Sequence, residues 1–308
     1  MPFLIRQSTF AGGSRRQLSD RLKGYLSIFV AASFWGSSAT AAKFLFQHDV
    51  TPLLVIESRV IVAAAILLIY FSVRNRKMLR LDLRDLGGFA LLGIIGVAGA
   101  NFTYYMAIQK TDVAIAILMQ YTAPVLVAIY VLITRVERIS VAKTVAIILA
   151  LTGCSIMLGL FDSHVHIRFT GAVLGMLSAI CFAFFNVYAK TALKKYSVWT
   201  GLTFTFTTAA VFWILFNFLT RSEFSISGPG ELGALTIFSL TSVLVPYYFF
   251  FVGLKYLLPS TAVIVSNLEP VVAISTAYLF LGERLRILQV AGGLLIISAV
   301  ILLELKRE

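Results

Sequence analysis

The sequence contains few charged residues. They make up 13% of its 308 residues, about half of the roughly 25% that is usual in soluble domains. So few ionisable side chains cannot cover a soluble fold of this length, and the hydrophobic fraction of 59% exceeds the roughly 45–50% of soluble proteins. The composition therefore excludes a disordered chain and predicts that lipid is the main solvent of the surface.

Cysteine and histidine are also scarce. Cys154 and Cys181 lie inside apolar runs, so we expect two reduced, packed thiols and no disulfide framework. His48, His164 and His166 fall in predicted loops, and His164 with His166 offers only two ligands, which make a poor metal site. We expect neither a metal nor a cofactor.

Enzyme motifs are missing as well. The sequence has no H-E-x-x-H, no G-x-S-x-G and no Walker loop, and no aspartate lies deep in a predicted helix. A pump with its own nucleotide site is excluded, and an enzyme within the membrane is disfavoured. We expect a protein that is not an enzyme.

What the sequence does contain is ten long apolar runs. A hydrocarbon core about 30 Å thick requires roughly 20 apolar residues per helix. The runs are continuous rather than alternating, which excludes a β-barrel. The ten predicted helices span residues 24–46, 52–73, 86–108, 112–134, 140–160, 169–192, 198–219, 231–256, 260–281 and 287–305.

The basic residues predict the orientation. If the N-terminus is cytoplasmic, 19 of the 26 Lys and Arg lie in inside segments and 5 in outside loops, which favours cytoplasmic N- and C-termini. Residues 1–23 then form a basic cytoplasmic tail, and the net charge of +12 does not require a nucleic-acid partner. A cleaved signal peptide ending near Ala39-Thr40-Ala41 is the alternative, and the repeat described next argues against it.

The second half of the chain repeats the first at a nearly constant offset. At an offset of 146, Pro124 aligns with Pro270, and similar matches divide the chain into repeats 24–160 and 168–306. Because each repeat holds five predicted helices, an odd number, the second enters the membrane upside down. Inverted repeats are typical of transporters; duplication for stability alone is the alternative.

These residues resemble the two-repeat EamA family of the drug/metabolite transporter superfamily. The resemblance covers about residues 24–306. It departs from the family pattern at Thr122-Ala123-Pro124, where Leu-Glu-Pro is expected, so only Glu269 supplies a carboxylate there. The matching motifs are Phe34-Trp35-Gly36 in helix 1, Pro52 with Arg59 in helix 2, and Leu268-Glu269-Pro270-Val271 in helix 9.

The resemblance implies an all-α integral membrane protein of ten transmembrane helices in two inverted five-helix repeats. Members mostly export amino acids, metabolites or toxic amphiphiles. We therefore expect a secondary transporter in the cell membrane that moves a small organic solute, an amino acid, amine or related metabolite, by alternating access and in the direction of efflux. A proton or a counter-solute is the expected coupling partner, and both a monomer and a homodimer remain open. The alternative is a flippase for lipids or lipid-linked sugars, which requires a laterally open cavity and a phosphate site.

Polar residues near the predicted membrane midplane indicate a cavity. Glu269 lies roughly 13 Å into helix 9, next to Pro270, and Pro124 occupies the matching point of helix 4. Each proline frees a backbone carbonyl one turn earlier, and polar groups at this depth must face protein, water or substrate. The candidate cavity residues are Trp35, Ser38, Asn101, Tyr104, Gln120, Tyr121, Asn186, Tyr247, Asn267 and Glu269.

Glu269 is also the candidate for proton coupling. Burial favours the neutral form of a carboxyl group and a cationic solute favours the charged form, so solute and proton are expected to compete there. A structural carboxylate bonded to a neighbouring helix is the alternative.

The remaining ionisable residues and the prolines are assigned to structure or gating. Lys43, Glu57 and Arg59 lie within two turns of the predicted outer surface, where Lys and Arg snorkel towards water and Lys43 is within reach of Glu57. The Glu137 and Glu283 loops lie on opposite faces of the membrane and begin the next helix or form a gate. The structural and gating set is Lys43, Glu57, Arg59, Pro124, Lys190, Pro270, Glu137 and Glu283.

Overall fold

The computed structural model describes residues 8–46, 52–111, 113–160, 168–220, 228–281 and 286–306. These residues are almost entirely helical, because a helix satisfies its backbone hydrogen bonds internally and can therefore cross lipid. A short 3₁₀ turn, Arg76–Leu79, follows the second helix. The helices, numbered along the chain, are α1 (Ser8–Phe46), α2 (Pro52–Arg74), α3 (Leu83–Lys110), α4a (Val113–Gln120), α4b (Ala123–Thr134), α5 (Val141–Met157), α6 (Phe169–Ala192), α7 (Val198–Thr220), α8 (Pro229–Tyr256), α9a (Pro259–Ser266), α9b (Glu269–Leu281) and α10 (Ile287–Leu305).

The ten predicted spans are present. Within the described ranges, eight helices are long and apolar enough to cross a membrane, and α5 is a shorter apolar helix. With α1, they make up the predicted all-α membrane fold of ten spans. The boundaries agree within a few residues except at α1, which begins at Ser8, so residues 8–23 of the predicted basic tail are part of the first helix.

The helix packing shows the inverted relationship of the two repeats. Helix α1 packs against α8 and both halves of α9, whereas α6 packs against α3 and both halves of α4. Exchanging the repeats converts one set of contacts into the other. The α2–α7 and α5–α10 pairs are each converted into themselves, as expected for helices that face each other across a pseudo-twofold axis.

Helices α4 and α9 are each broken in the middle. The first break, at Tyr121 and Thr122, precedes Pro124, and the second, at Asn267 and Leu268, precedes Pro270. Since proline lacks a backbone N–H and its ring clashes with the carbonyl four residues earlier, each proline ends the preceding half-helix. The breaks leave backbone groups at membrane depth that face the protein interior.

Helices α3 and α8 carry a second matched irregularity. Residues Leu92–Gly99 of α3 and Leu240–Leu244 of α8 form π-helical turns, which widen the helix and occur frequently at functional sites. The four irregular helices belong to matching positions in the two repeats, and all four contribute to the cavity described next.

Candidate functional site

A cavity of about 150 Å³ lies between the two repeats. Its walls come from α1, α2, α3, the break in α4, α6, α8 and the break in α9. Of the ten predicted cavity residues, nine line it: Trp35, Ser38, Asn101, Tyr104, Gln120, Tyr121, Tyr247, Asn267 and Glu269. Their contact with a substrate stays a prediction.

Asn186 is the tenth candidate, and its placement in the cavity was wrong. Its side chain is fully buried and its Nδ2 donates to the Phe182 carbonyl oxygen at 2.8 Å, within its own helix. Phe182, one turn earlier on α6, lines the cavity instead. A single polar residue on an apolar helix gives no indication of which face it occupies, and here the helix backbone binds its amide.

Glu269 is the first residue of α9b and lies at the break in α9. The Tyr121 hydroxyl, from the break in α4, lies near its carboxylate. The N-terminal end of a helix also favours negative charge. Helix α1 approaches this point so closely that a Cβ on Gly36 would collide with the Glu269 carbonyl oxygen and with the backbone of Ala273.

Arg59 is a cavity residue that sequence reasoning missed. Its side chain is only 8% exposed, so the prediction that it snorkels to the outer surface was wrong. One guanidinium nitrogen donates to Asn101 Oδ1, the guanidinium carbon lies 5.8 Å from the centre of the Tyr105 ring, and Nε has no hydrogen-bond partner. The Ser239 hydroxyl donates to the Arg59 carbonyl oxygen. Arg59 is two turns, about 10 Å, from the start of α2, and polar partners on α3 hold its side chain inward.

Aromatic rings form much of the remaining wall. Trp35 packs edge-on against Tyr247 at 5.2 Å and contacts Phe250 at 5.3 Å, and Tyr104 lies edge-on to Tyr105 at 5.4 Å. Interlocked rings of this kind fix the cavity shape, and their faces attract cations.

Tyr248 belongs to a different contact. It stacks on Trp199 with a centroid distance of 4.4 Å, and it does not line the cavity.

Some polar groups at the cavity are hydrogen-bonded to other protein groups, and others are not. Gln120 Nε2 donates to Ser178 Oγ at 3.1 Å, and that hydroxyl donates to the Ala100 carbonyl oxygen at 2.9 Å. By contrast, Asn267 Nδ2 and Ser242 Oγ are buried without a partner. Buried polar groups normally find partners in protein, water or ligand, so these two groups have unmet hydrogen-bonding capacity beside the cavity.

The assigned outer gating residues are described only in part. Asn217 Nδ2, on α7, donates to Glu57 Oε2 at 2.6 Å, so Glu57 holds α2 against α7. The Lys43 side chain and Glu283 lie outside the described residues, and the Lys43–Glu57 contact therefore stays a prediction.

Lys190 and Glu137 make structural contacts. Lys190 Nζ donates to the carbonyl oxygens of Leu254, Lys255 and Leu257 at 2.6, 3.2 and 2.9 Å, which satisfies carbonyls at the C-terminal end of α8. Glu137 forms a buried ion pair with Lys143 at 3.3 Å.

Polar contacts also join the two repeats at the start of α3. Lys195, in the α6–α7 link, contacts the carboxylates of Asp82 and Asp85, and Tyr196 donates to Asp85. The hydrogen bond to Asp85 raises the pKa of Lys195 above its usual value, so Lys195 is charged around neutral pH.

A family model matches both repeats. It describes the EamA-like transporter family and matches residues 22–159 and 169–305. The chain belongs to the EamA-like transporter family. This membership makes it a multi-pass membrane protein that moves small molecules, and the resemblance drawn from the sequence motifs is confirmed.

Relatives with curated names support the assignment over most of the chain. An uncharacterized transporter of Archaeoglobus fulgidus is 30% identical over 71% of this chain and 76% of its own length. The uncharacterized inner membrane transporter YicL of Salmonella typhimurium is 22% identical over 92% of this chain and 95% of its own length. The threonine/homoserine exporter RhtA of Salmonella typhimurium is 26% identical over 93% of this chain and 92% of its own length.

A solved crystal structure has the same fold. It superimposes with a TM-score of 0.77 at 18% sequence identity, covering 92% of this chain and 96% of the other. At this identity the similarity supports the EamA fold alone.

Proposed function

We propose that this EamA-family protein is a secondary transporter that carries a small organic solute, an amino acid, amine or related metabolite, out of the cell by alternating access. The observation that carries the proposal is the cavity between two inverted repeats, with Glu269 from one repeat and Arg59 from the other on its wall. Charged groups at membrane depth are costly and usually serve transport.

The alternating step follows from the wall composition. Both repeats contribute to the cavity a broken helix and a helix that contains a π-helical turn. Rocking one repeat against the other exposes the same residues first to one side and then to the other. The irregular turns have fewer regular backbone hydrogen bonds to break, so we expect the motion to concentrate there.

The size of the cavity supports a small solute over a lipid. Pockets for drug-sized ligands measure about 300–1,000 Å³, and this one measures about 150 Å³. Arg59 could bind a phosphate group, so the charges of the cavity do not argue against the flippase alternative. The small volume of the cavity does argue against a flippase.

The direction and the orientation rest on separate arguments. Efflux is supported by the relative named as a threonine/homoserine exporter. Cytoplasmic N- and C-termini are supported by the distribution of the basic residues. With that orientation, the loop that holds Glu137, before α5, and the loop that holds Lys195, between α6 and α7, both lie at the cytoplasmic end.

Glu269 is the proposed site of proton coupling. The titratable or charged groups near its carboxylate are Tyr121 from the break in α4, Tyr104 from α3, Tyr247 from α8, Arg59 from α2 and Cys154 from α5. Of these groups, Arg59 alone is a basic side chain. Competition between a proton and a cationic group of the solute for Glu269 would couple solute export to proton import.

The proposal is tested with purified protein in liposomes. We expect uptake or counterflow of at least one member of a labelled panel of amino acids, amines and nucleosides, absent from protein-free liposomes. Failure of the whole panel together with scrambling of fluorescent lipids would overturn the proposal in favour of the flippase.

A further inference from the structure

Arg59 and Glu269 face the same cavity with opposite charges but do not form an ion pair. Both line the cavity, and they are close enough to interact electrostatically. Among the described residues, ion pairs join Lys23 to Asp20, Lys143 to Glu137, and Lys195 to Asp82 and Asp85; none joins Arg59 to Glu269. The cavity wall thus holds a positive and a negative group that are not paired with each other.

The Arg59 guanidinium has hydrogen-bond donors to spare. A guanidinium has five N–H donors arranged as a planar fork that fits a carboxylate. One of them is used by Asn101, and the buried Nε has no partner. The side chain is held by that amide and by the Tyr105 ring, so it is already oriented before a ligand arrives.

The other end of the cavity suits an ammonium group. The Glu269 carboxylate is an acceptor with about four lone-pair sites, and the Tyr121 hydroxyl occupies at most one of them. The aromatic rings of Trp35, Tyr104 and Tyr247 also line the cavity, and their faces attract a cation.

We propose that the transported solute is a zwitterion of amino-acid type, whose carboxylate binds Arg59 and whose ammonium group binds Glu269. The proposal rests on the transport function proposed above and narrows its substrate class. A simple amine leaves Arg59 unpaired in the cavity, and a simple carboxylic acid leaves Glu269 unpaired. An uncompensated buried charge is costly, so either molecule should bind more weakly than the zwitterion.

The first test compares matched ligands on the wild-type protein. For each of the amino acids found in proteins, binding of the free amino acid is compared with binding of its decarboxylated amine and of the acid that lacks the amino group. Binding is measured in detergent micelles as the ligand-dependent rise in unfolding temperature. We expect at least one amino acid to bind about tenfold or more tightly than both of its partners, the factor that a charge-assisted hydrogen bond contributes. Equal or tighter binding of the amine or the acid throughout the panel overturns the proposal.

The second test assigns each end of the ligand to its residue. Arg59→Gln should weaken binding of the zwitterion by about tenfold to a hundredfold and leave the matched amine nearly unaffected. Glu269→Gln should weaken the zwitterion similarly and leave the matched acid nearly unaffected. The control is Glu57→Gln, which removes a buried carboxylate from α2 outside the cavity and should leave all three affinities unchanged.

Two further observations separate failure of this substrate proposal from misfolding of a variant and from failure of the transport function. If Arg59→Gln does not give monodisperse protein, Arg59→Lys keeps the charge but removes the fork, and should bind the zwitterion with intermediate affinity. Wild-type liposomes that move amines or acids but no zwitterion would refute the substrate class and leave the transport function intact. Liposomes that move no solute of any class would refute both.

Discussion

Glu137 accepts a hydrogen bond from the Ser260 hydroxyl, and this contact joins the loop before α5 in the first repeat to the first turn of α9a in the second. The same carboxylate pairs with Lys143 at 3.3 Å, with the two side chains 1% and 2% exposed. In the proposed mechanism the two repeats move against each other. A buried polar contact between them therefore affects both the stability of the fold and the conformation that the transporter prefers.

Neutralising Glu137 should destabilise the protein. Glu137→Gln leaves the Lys143 ammonium buried without a countercharge, and breaking a buried pair from one side costs about 3–5 kcal/mol. We expect a loss of that size in the free energy of unfolding, measured by denaturant titration in micelles. The double variant Glu137→Gln/Lys143→Met removes both charges and should recover part of the loss. A single variant as stable as the parent would contradict this account of the pair.

Removing Lys190 should loosen the end of α8. Its ammonium group serves three carbonyl oxygens of Leu254, Lys255 and Leu257, and unsatisfied buried acceptors cost about 1–3 kcal/mol. Lys190→Met should therefore lower the free energy of unfolding by about that amount and increase hydrogen exchange in the last turn of α8. Lys194→Met, at an exposed position four residues later, is the control and should change neither quantity.

Gly36 should not tolerate even one additional carbon. A Cβ there would meet the backbone of Glu269 and Ala273, which cannot rotate away as a side chain can. We expect Gly36→Ala to destabilise by about 1–3 kcal/mol through overpacking and to reduce transport by displacing the break in α9. Gly87→Ala, also in a helix but with open space around it, should be neutral or stabilise by up to about 1 kcal/mol. Equal effects of the two substitutions would exclude the steric explanation.

Proton coupling at Glu269 is tested by the amide variant. Glu269→Gln cannot release a proton, so an imposed pH gradient should no longer drive accumulation of substrate in liposomes. Exchange of labelled for unlabelled substrate requires no net proton movement and should persist at a reduced rate, once substrate is raised to offset weaker binding. A variant that still concentrates substrate under the pH gradient would show that coupling resides elsewhere.

Most of the fold was accessible from the sequence because lipid imposes a simple length rule. Apolar runs of about 20 residues are hard to misassign, and the spacing of Pro124 and Pro270 fixed the register of the repeat. Helix α1 extends beyond its predicted span because charged residues such as Arg15 and Arg16 end an apolar run without ending a helix.

The candidate site was less predictable than the fold. The depth of a residue in the membrane can be counted along the sequence, but the direction in which each face of a helix points cannot. Arg59 was placed at the surface by its distance from the helix end, and only the positions of Asn101 and Tyr105 on α3 show that it turns inward. The glycines of α3 permit close helix packing, but they do not predict the π-helical turn.

The departure from the repeat pattern at one position has a geometric consequence. Ala123 and Glu269 are counterparts in the broken helices, and both line the cavity, but only one carries a charge. A pocket with true twofold symmetry would offer an asymmetric molecule two equivalent poses of equal energy. Here the backbone scaffold has the symmetry and the charges do not. In the proposed mechanism we therefore expect a bound molecule with unlike ends to have a single preferred pose and to point the same way across the membrane whichever side is open.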